Sequence, residues 1–576
     1  MTQRDRDQSV VFVTNSAFTM LALGLIYTQV LNYDTYFAKS QNNFIRIIPI
    51  DSPRGRMVDR NGNILVGNRL SFDISCVYQE TGPKDRFINS LSSNLGVQPR
   101  DIIRPMAKAR ERPFAPYVIA EDVEKEKAIG LEEMEPDLRG LVVETRSKRD
   151  YVLGESGAQI FGYLGEINEE ELASLKEYGY RMRNLMGRSG LEKYYNNYLT
   201  GVDGGEQIEV DSRGKRVSLL GLKEPRPGRD LRLTIDVRLQ LLADRLLGEK
   251  TGAIIVMDPR NGEILAMASH PDFDPSVFVR PGESEERSRL LTARSKPLLN
   301  RAISGLYPPG SVFKIAVAAA ALEMKRISGQ THFSCPGHYS LGRTVFHCWK
   351  DGGHGSQNIL EAMKNSCNVF FFNTGRLAGV DGIESYAAKL GFGRPTGVDL
   401  PEEAGGLVPG RLWKLISKKD VWYEGETVNY AIGQGYLLVT PIQVIRMTAA
   451  IANGGRLVRP YLVRGIGPVD VGGEKYQESG ISAATIKIIK EGMFKVVQDE
   501  NGTGRRARVE GLSMGAKTGT AENPRGAPHA WFTGFAPWQS PKLSVVILIE
   551  HGGKGGMGPA EMAKEIFEGA KGLGLL

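Results

Sequence analysis

The hydrophobic pattern begins with one long apolar stretch near the N-terminus. No charged residue occurs between Gln8 and Tyr33, and most side chains in between are apolar. About 20 such residues are enough to cross the hydrocarbon core of a bilayer as a helix. We therefore predict a membrane anchor at residues 9–31. A cleaved signal peptide and a buried core helix are the alternatives, and the absence of a small-residue cleavage motif after the stretch disfavours the first.

The charges on either side of this stretch predict its orientation. Arg4 and Arg6 precede the anchor, and Asp34 follows it. Positively charged flanks tend to stay on the cytoplasmic side of a membrane. Residues 1–8 are therefore predicted to form a cytoplasmic tail. The chain from residue 32 onward is predicted to lie on the periplasmic or extracellular side of the cytoplasmic membrane.

Beyond the anchor, two regions differ in their pattern of strand-like and helical runs, which predicts two domains. Residues 32–228 mix short strand-like runs with charged helical stretches, and they end in a linker with two prolines and a glycine. Residues 229–576 begin with strand-like runs around a hairpin signal at Asn261 and Gly262. Helical stretches follow, and three strand-like runs lie near the C-terminus. This order predicts an α+β domain, an antiparallel sheet packed with helices.

Composition and charge narrow the class of protein. Hydrophobic residues make up 41% of the chain and charged residues 24%, as in folded globular proteins. A net charge of +7 over 576 residues is a mild excess that suits work near an anionic membrane or wall polymer. No Lys/Arg-rich block or recognition motif accompanies it, so no nucleic-acid partner is predicted.

The first chemical signal is a serine and a lysine at the start of an Ala-rich helical stretch. Two prolines and a glycine lead into Ser311, and Lys314 follows three residues later. This spacing places both side chains on one face of a helix. An amine with a lowered pKa can then remove the proton of the serine hydroxyl. Taken alone, however, such a pair is more often a helix-capping serine and a surface lysine.

Two further motifs change that interpretation. Ser366 and Asn368 follow an amphipathic stretch, and a KTG sequence beginning at Lys517 lies in a strand-like run near the C-terminus. The order SxxK, SxN, KTG characterises penicillin-binding proteins and serine β-lactamases. Each motif is weak alone. Their occurrence in this order, each in suitable local structure, predicts a serine acyl-transfer site.

The chain resembles the class B penicillin-binding proteins over nearly its whole length. The segments that carry the resemblance are PRGRMVDRNGNILVGN from Pro53, GRSGLEKYYNNYLTG from Gly187, NRAISGLYPPGSVFK from Asn300, AIGQGYLLVTPIQ from Ala431 and AKTGTAE from Ala516. Within the class, HCWKDGGHG and GQGYLLVTP are most similar to the elongation-specific type, penicillin-binding protein 2. Division- or sporulation-type transpeptidases of the same class stay open as alternatives.

The resemblance implies a fold and a function. The implied fold is a penicillin-binding/serine β-lactamase-like transpeptidase domain on an elongated, dimerisation-like pedestal with one transmembrane helix. The implied activity is a peptidoglycan DD-transpeptidase that cross-links stem peptides during cell elongation and cell-shape maintenance. A β-lactamase or carboxypeptidase is a further alternative, which the long pedestal disfavours. The expected partners are stem peptides, β-lactams, the membrane, and a RodA-type glycosyltransferase with other elongation-complex proteins, with no organic cofactor.

The resemblance also implies roles for the residues around the nucleophile. Ser311 is expected to attack the penultimate D-Ala carbonyl and form an acyl-enzyme, with Lys314 as the general base. Ser366 is expected to pass a proton to the departing D-Ala nitrogen. Asn368 is expected to hold Lys314 and the substrate amide.

The KTG segment is expected to recognise the substrate's terminal carboxylate. Lys517 supplies a cation for that carboxylate, and Thr518 supplies a hydroxyl beside it. Gly519 is expected to let the substrate lie against the sheet edge. The backbone N–H groups of Ser311 and Thr520 are expected to form the oxyanion hole.

Cysteines and histidines cluster in one short segment. Three of the four cysteines and four of the seven histidines fall between residues 332 and 367. A Cys₃His donor set is typical of closed tetrahedral zinc sites. We predict a structural zinc site formed by Cys335, Cys348, Cys367 and His354, the last chosen because its glycine neighbours permit close approach. The alternatives are a disulfide, in an oxidising compartment, and unrelated buried thiols.

Three tyrosines, Tyr194, Tyr195 and Tyr198, form a stripe at helical spacing. Such a stripe is more often part of a hydrophobic core than a platform for a ligand. We therefore predict that these side chains are buried in the core.

Overall fold

The computed structural model describes residues 3–34, 36, 45–111, 113–114, 116–134, 137–175, 184–210, 216–473, 475–524 and 526–576. Within it the chain forms two compact units that interleave along the sequence. The first unit contains residues 1–53, 69–148 and 201–228, and the second contains residues 54–68, 149–200 and 229–576. The predicted domain boundaries are contiguous ranges, so they do not show this interleaving.

The helices, in chain order, are α1 (Gln3–Ile26), α2 (Lys84–Leu95), α3 (Pro99–Ala109), α4 (Lys125–Glu133), α5 (Ala158–Phe161), α6 (Glu169–Leu175), α7 (Gly190–Tyr194), α8 (Asn196–Leu199), α9 (Val237–Leu247), α10 (Ser284–Thr292), α11 (Lys314–Glu323), α12 (Ile359–Lys364), α13 (Asn368–Lys389), α14 (Arg411–Lys418), α15 (Glu424–Tyr430), α16 (Pro441–Ala452), α17 (Ala483–Gln498) and α18 (Gly558–Gly572).

The strands are β1 (Ile45–Ile50), β2 (Met57–Val58), β3 (Ile64–Val77), β4 (Pro116–Val123), β5 (Leu141–Tyr151), β6 (Leu164–Glu166), β7 (Leu185–Gly187), β8 (Gly204–Val210), β9 (Arg216–Lys223), β10 (Leu231–Leu233), β11 (Gly252–Met257), β12 (Ile264–His270), β13 (Phe333–Cys335), β14 (His338–Leu341), β15 (Thr344–His347), β16 (Gly355–Gln357), β17 (Arg456–Val458), β18 (Val463–Ile466), β19 (Val469–Asp470), β20 (Tyr476–Glu478), β21 (Gly515–Ala521), β22 (His529–Ala536) and β23 (Leu543–Ile549).

The N-terminal helix α1 continues into one π-helical turn, Tyr27–Leu31. Within this stretch the 22 residues Val10–Leu31 are long and apolar enough to cross a membrane. The most apolar part of this segment is not buried against the rest of the described chain. An apolar helix left exposed in this way fits the predicted anchor at residues 9–31 and not the alternative of a buried core helix.

Besides α1, the described part of the first unit contains two groups of strands and the three helices α2, α3 and α4. Strands β1, β8 and β9 form an antiparallel sheet in the order β1-β8-β9, and β3 pairs with both β4 and β5. Helices α2, α3 and α4 pack their apolar faces into one core. That core includes Ile74, Phe87, Leu91, Ile102 and Leu131.

The second unit is built around a five-stranded antiparallel sheet in the order β12-β11-β23-β22-β21. Side chains alternate across it, as the two-residue period of a strand requires. On β11, Ile254 and Val256 face a core covered by α9 and α18. Ala253 and Ile255 face the larger core, to which α11, α13 and α16 contribute. The hairpin between β11 and β12 turns at the predicted position, where Gly262 has φ +87°.

The segments 54–68 and 149–200 belong to the second unit because their apolar side chains share its larger core. Met57, Val66, Ile160, Leu191 and Leu199 are all at most 1% exposed there. The long strands β3 and β5 carry the chain from one unit to the other. Domain boundaries predicted from changes in composition along the chain miss this arrangement. The hydrophobic pattern of β3 and β5 does not change where each strand passes from one unit to the other.

The predicted burial of the tyrosine stripe is wrong for two of its three members. Tyr194 is 47% exposed and Tyr198 is 46% exposed, whereas Tyr195 is partly buried. The reason is a break between α7 and α8 at Tyr195, where φ is −106° and ψ is 21°. The three rings therefore do not share one continuous helix face.

Candidate active site

Ser311 lies on a 3₁₀ turn, Gly310–Phe313, and helix α11 begins directly afterwards at Lys314. The Ala-rich run from Lys314 is helical, as the sequence predicts, and Ser311 precedes it on the 3₁₀ turn. Side chains three residues apart eclipse one another in a 3₁₀ turn, so Ser311 and Lys314 still share a face. Ser311 is partly exposed, while Lys314 is fully buried.

Two glycines let this turn lie against strand β21. A Cβ on Gly310, whose φ is +55°, would lie 2.6 Å from the Thr520 carbonyl oxygen, and one on Gly519 would lie 3.0 Å from the Pro309 carbonyl oxygen. The close approach places Ser311 beside Thr520, the pair expected to form the oxyanion hole. Gly519 thus has a packing reason to lack a side chain, in addition to the expected approach of substrate.

The SxN segment connects α12 to α13. Ser366 has φ +50°, which is uncommon for a residue other than glycine and costs backbone strain. Asn368 is the first residue of α13, and its side chain faces Lys314. Nothing in the sequence marks the left-handed conformation of Ser366, because serine carries no preference for it.

The Lys314 amine is the centre of the site. Its Nζ lies 2.8 Å from the Ser366 carbonyl oxygen, 2.8 Å from Asn368 Oδ1 and 3.3 Å from Ser366 Oγ. Burial lowers the pKa of Lys314 to about 8. A neutral amine has two hydrogens, which match the two acceptors that cannot donate, the carbonyl and the amide oxygen. Its lone pair is then left for a serine hydroxyl.

The Lys517 amine approaches the same serine from strand β21. Its Nζ donates to Ser366 Oγ at 2.9 Å and to the Thr518 carbonyl at 3.0 Å. Burial and the neighbouring charge of Lys314 lower the pKa of Lys517 well below its usual value. The Ser366 hydroxyl therefore lies between two buried amines. The structure thus brings Lys314, Ser366, Asn368 and Lys517 together beside the Ser311 turn, as the motif order predicts.

One polar residue of the site was not identified from the sequence. Thr518 Oγ1 donates to Thr503 Oγ1 at 3.2 Å, and Thr503 Oγ1 donates to the Lys364 carbonyl at 3.2 Å. Lys364 ends α12, two residues before Ser366. Thr503 therefore links the KTG strand to the SxN segment. It lies in the loop after α17, where no motif spacing points to it.

The four predicted metal ligands lie together. The donor atoms of Cys335, Cys348, His354 and Cys367 are all within 4.8 Å of one another, and none of the thiols is in a disulfide. His354 Nδ1 lies 3.6 Å from Cys335 Sγ and 3.5 Å from Cys348 Sγ. Zinc bond lengths of roughly 2.3 Å to sulfur and 2.0–2.1 Å to nitrogen, at tetrahedral angles, require a sulfur–nitrogen separation of about 3.5–3.6 Å. The donor set therefore fits zinc in chemistry and in spacing.

Short strands and glycines hold these ligands in place. Strand β13 pairs with β16, so that Cys335 lies opposite Gly355, and the Cys335 carbonyl accepts the His354 N–H at 3.0 Å. A Cβ on Gly353, whose φ is +71°, would lie 2.1 Å from that carbonyl oxygen. The glycine before His354 thus permits the close approach that the sequence predicts. Cys367 directly precedes α13, between Ser366 and Asn368.

Comparison with known proteins places this geometry in a family. The penicillin binding protein transpeptidase domain matches residues 252–568, and the penicillin-binding protein dimerisation domain matches residues 49–233. The chain belongs to the penicillin-binding protein transpeptidases.

Individual relatives are similar along nearly the whole chain. The peptidoglycan D,D-transpeptidase MrdA of Haemophilus influenzae is 32% identical over 585 residues, covering 95% of this chain and 89% of the relative. The penicillin-binding protein PBP2 of Helicobacter pylori, solved in complex with MreC, has a TM-score of 0.80 at 29% identity and covers 92% of this chain and 100% of its own. A chain of a peptidoglycan synthase complex that coordinates polymerization and crosslinking has a TM-score of 0.78 at 33% identity and covers 99% and 98%. The predicted resemblance to the elongation type and the predicted fold class are confirmed.

Proposed function

We propose that this chain is a peptidoglycan D,D-transpeptidase of the elongation type and that Ser311 carries the acyl group. The observation that carries the assignment of the nucleophile is the fully buried Lys314 amine, held between Asn368 and Ser366 on the face that it shares with Ser311. The kinship with D,D-transpeptidases of known name supports the reaction class.

The reaction follows from the positions of these groups. Ser311 Oγ attacks the carbonyl carbon of the penultimate D-Ala while its proton moves to Lys314 Nζ. The oxyanion is stabilised by the backbone N–H groups of Ser311 and Thr520. The bond to the terminal D-Ala nitrogen then breaks, and the Ser366 hydroxyl gives that nitrogen its proton while it takes the proton held by Lys314 Nζ. An amine of a second stem peptide then attacks the ester carbonyl and loses a proton to Lys314, and the ester bond to Ser311 breaks as Ser311 Oγ takes that proton.

Lys517 and Thr518 recognise the terminal carboxylate of the donor peptide. Lys517 is buried next to Lys314 and Ser366, so an incoming carboxylate provides the counter-charge that favours its protonated form. Without substrate, the Thr518 hydroxyl donates its one hydrogen to Thr503, and this hydrogen turns to the carboxylate when the peptide binds. Recognition of the carboxylate therefore also places the scissile bond next to Ser311.

Mass spectrometry after treatment with a penicillin tests this assignment. We expect one added penicilloyl group per chain on Ser311 that persists for many minutes. The Ser311→Ala protein should gain no mass, with an unchanged circular dichroism spectrum, because the Ser311 side chain is partly exposed and caps no helix. A label on another serine would contradict the proposed nucleophile. Hydrolysis of the adduct within seconds would favour a β-lactamase.

We also propose that Cys335, Cys348, Cys367 and His354 hold a structural zinc ion. The spacing between the sulfur and nitrogen atoms supports this, because His354 Nδ1 lies within 3.6 Å of two of the thiols. A bound zinc would fasten the loop before α12 to the residue between Ser366 and Asn368, and so stabilise the catalytic geometry without contacting substrate.

Elemental analysis of the purified full-length protein tests the zinc proposal. We expect about one zinc per chain, and we expect Cys348→Ser to lose the metal and unfold at a lower temperature. Cys76→Ser is the matched control, since Cys76 is also fully buried but lies in the core of the first unit. A protein without metal, or a Cys335–Cys348 disulfide in the peptide map, would show that the site does not exist.

We further propose that the pedestal, residues 32–228, lies outside the cytoplasmic membrane and engages a RodA-type glycosyltransferase. Two structural relatives support a partner-binding role, one solved with MreC and one within a peptidoglycan synthase complex. Charge reversals at exposed residues of the first unit should abolish co-purification with a co-expressed RodA-type protein while leaving penicillin labelling intact. If such variants keep the partner and support growth, the pedestal has no such role.

A further inference from the structure

A second concave site lies in the second unit, at α7 and α8. It is a pocket of about 320 Å³ lined by four tyrosines, Tyr194, Tyr195, Tyr198 and Tyr461, and by residues around β18 and β19. It shares no residue with the reactive centre at Ser311. Pockets with aromatic walls and a few polar groups are typical of ligand sites.

Three of these tyrosine rings contact one another in sequence, with Tyr195 between the other two. The ring centroids of Tyr194 and Tyr195 are 5.0 Å apart, and those of Tyr195 and Tyr198 are 6.2 Å apart. The Tyr195 hydroxyl is used, because it donates to Asp399 Oδ2 at 3.0 Å. Among the described residues, the hydroxyls of Tyr194 and Tyr198 have no hydrogen-bond partner. These two rings are nearly half exposed and present both an apolar face and a polar edge to a ligand.

The charges of the pocket select an anion. Asp399 is its one acidic lining residue, and its carboxylate is already satisfied by Tyr195 and by the backbone N–H groups of Leu462 and Val463, at 2.7 and 2.8 Å. Arg459 and Lys475 also line the pocket, and the Arg459 backbone N–H donates to the Lys475 carbonyl at 2.7 Å, which keeps the two residues side by side. The Arg459 guanidinium Nε donates to the Gly397 carbonyl at 2.5 Å. Within the described part of the chain, neither cation has a carboxylate partner.

We propose that this tyrosine pocket binds an anionic glycan, with sugar rings stacked on the faces of Tyr194 and Tyr198 and carboxylates at Arg459 and Lys475. Resting on the proposed function, the matching ligand is a peptidoglycan strand that carries stem peptides. A strand held there keeps its stem peptides at a high local concentration around the same domain. The alternative occupant is an acidic protein surface, which also pairs with tyrosine and arginine side chains.

The binding test uses the full-length protein with Ser311 already acylated by a β-lactam, so that the catalytic cleft is occupied. Titration calorimetry compares an uncross-linked peptidoglycan tetrasaccharide carrying stem peptides, the neutral sugar chitotetraose and the free stem pentapeptide. We expect the first to bind tightest, with an affinity that falls as salt is raised, because the carboxylates meet surface cations. Acylation of Ser311 tests the proposed function, and the titration that follows tests the tyrosine pocket. Either proposal can therefore fail without the other.

Two variants and one control locate the binding. Tyr198→Ala removes a stacking face, and we expect about tenfold weaker binding of the tetrasaccharide. Gly473→Leu adds bulk where a Cβ meets no atom within 4 Å, and so fills the pocket without removing a contact. The control is Tyr476→Ala, a tyrosine that is 48% exposed and outside the pocket. No tetrasaccharide binding to the acylated wild type, or binding that both pocket variants keep, overturns the proposal and leaves the acidic protein as the occupant to test.

Discussion

The two lysines of the reactive centre are both fully buried. Within the described part of the chain, no carboxylate lies within ion-pair distance of either amine. Two ammonium groups in one buried site without a counter-ion are unfavourable, so one of them gives up its proton. The hydrogen bonds of Lys314 fit the neutral form, and the substrate carboxylate can provide the missing charge for Lys517. Two residues of one type thereby take opposite roles, base and cation.

This division of roles predicts the pH dependence of acylation. Lys314 accepts the Ser311 proton only when its own amine is neutral, and its pKa is lowered to about 8 by burial. The second-order rate of penicillin acylation should therefore rise with pH and level off above about 8. Stopped-flow measurements from pH 6 to 9.5 check this. Lys314→Arg, which cannot lose its proton, should lower the rate by roughly 10²–10⁴-fold at every pH. A flat profile in the wild type would contradict the role of Lys314 as the base.

Thr503 is predicted to position the Thr518 hydroxyl. Thr503→Val keeps the side-chain shape but removes both hydrogen bonds, so acylation by a penicillin should slow by about tenfold. Thr503→Ser keeps the hydroxyl and should react nearly as fast as wild type. The distinguishing measurement uses the methyl ester of the same penicillin, which has no carboxylate for Thr518 to bind. Equal losses with the acid and the ester would indicate a general structural defect in place of positioning.

At the scale of elements, the sequence predicts helices and strands that have a regular hydrophobic period and motifs whose residues are close together in the chain. Strands β11, β12 and β21–β23 follow from alternating or continuous apolar runs, and their order predicts the antiparallel sheet. The residues of the three motifs are predicted from their order along the chain. The left-handed backbone of Ser366 and the hydrogen bond of Thr503 to Thr518 are not predicted, because both depend on how distant segments pack. The tyrosine stripe shows the same limit, since one helix break at Tyr195 changes which rings are buried.

Helix α7 carries a buried ion cluster that joins two segments of the second unit, 54–68 and 149–200. Glu192 is fully buried and accepts from Arg54 at 2.6 Å and from Arg149 at 2.7 Å. Burial alone raises the pKa of Glu192, but the charges of Arg149 and Arg54 outweigh it and lower the pKa below the ordinary value. The stabilisation by this cluster is therefore present above a pH of about 4.3 and is lost as the pH falls through the lowered pKa.

Removing the carboxylate leaves two buried guanidinium groups without a counter-charge. We expect Glu192→Ala to lower the free energy of unfolding of the second unit by about 3–5 kcal/mol, measured at neutral pH by thermal or urea unfolding. The matched control is Glu286→Ala, which removes a partly exposed partner of Arg289 and should leave the transition unchanged. A Glu192→Ala protein as stable as the control would show that the cluster contributes no net stability.

At the scale of the whole molecule, neither unit is a single continuous stretch of the chain. The pedestal-like first unit is entered and left by β3 and β5, each of which also contributes to the second unit. The second unit therefore needs residues 54–68 and 149–200 to complete its core. A protein truncated to residues 229–576 should accordingly expose apolar surface and aggregate, whereas the chain from residue 45 onward should stay folded. Size-exclusion chromatography of the two truncated proteins distinguishes these outcomes.

The last prediction concerns which side of the membrane each end of the anchor occupies. All four native cysteines are at most 4% exposed, so a membrane-impermeant maleimide should leave the native chain unlabelled. Ser9→Cys and Asp34→Cys add one thiol at either end of the apolar helix. Because Arg4 and Arg6 favour a cytoplasmic N-terminus, spheroplasts should label Asp34→Cys at once and Ser9→Cys only after detergent opens the membrane. If intact spheroplasts label Ser9→Cys and not Asp34→Cys, the orientation of the helix is the opposite of the one predicted. A mature protein in which Ser9→Cys is never labelled, even in detergent, would mean that the N-terminal helix is a cleaved signal and not an anchor.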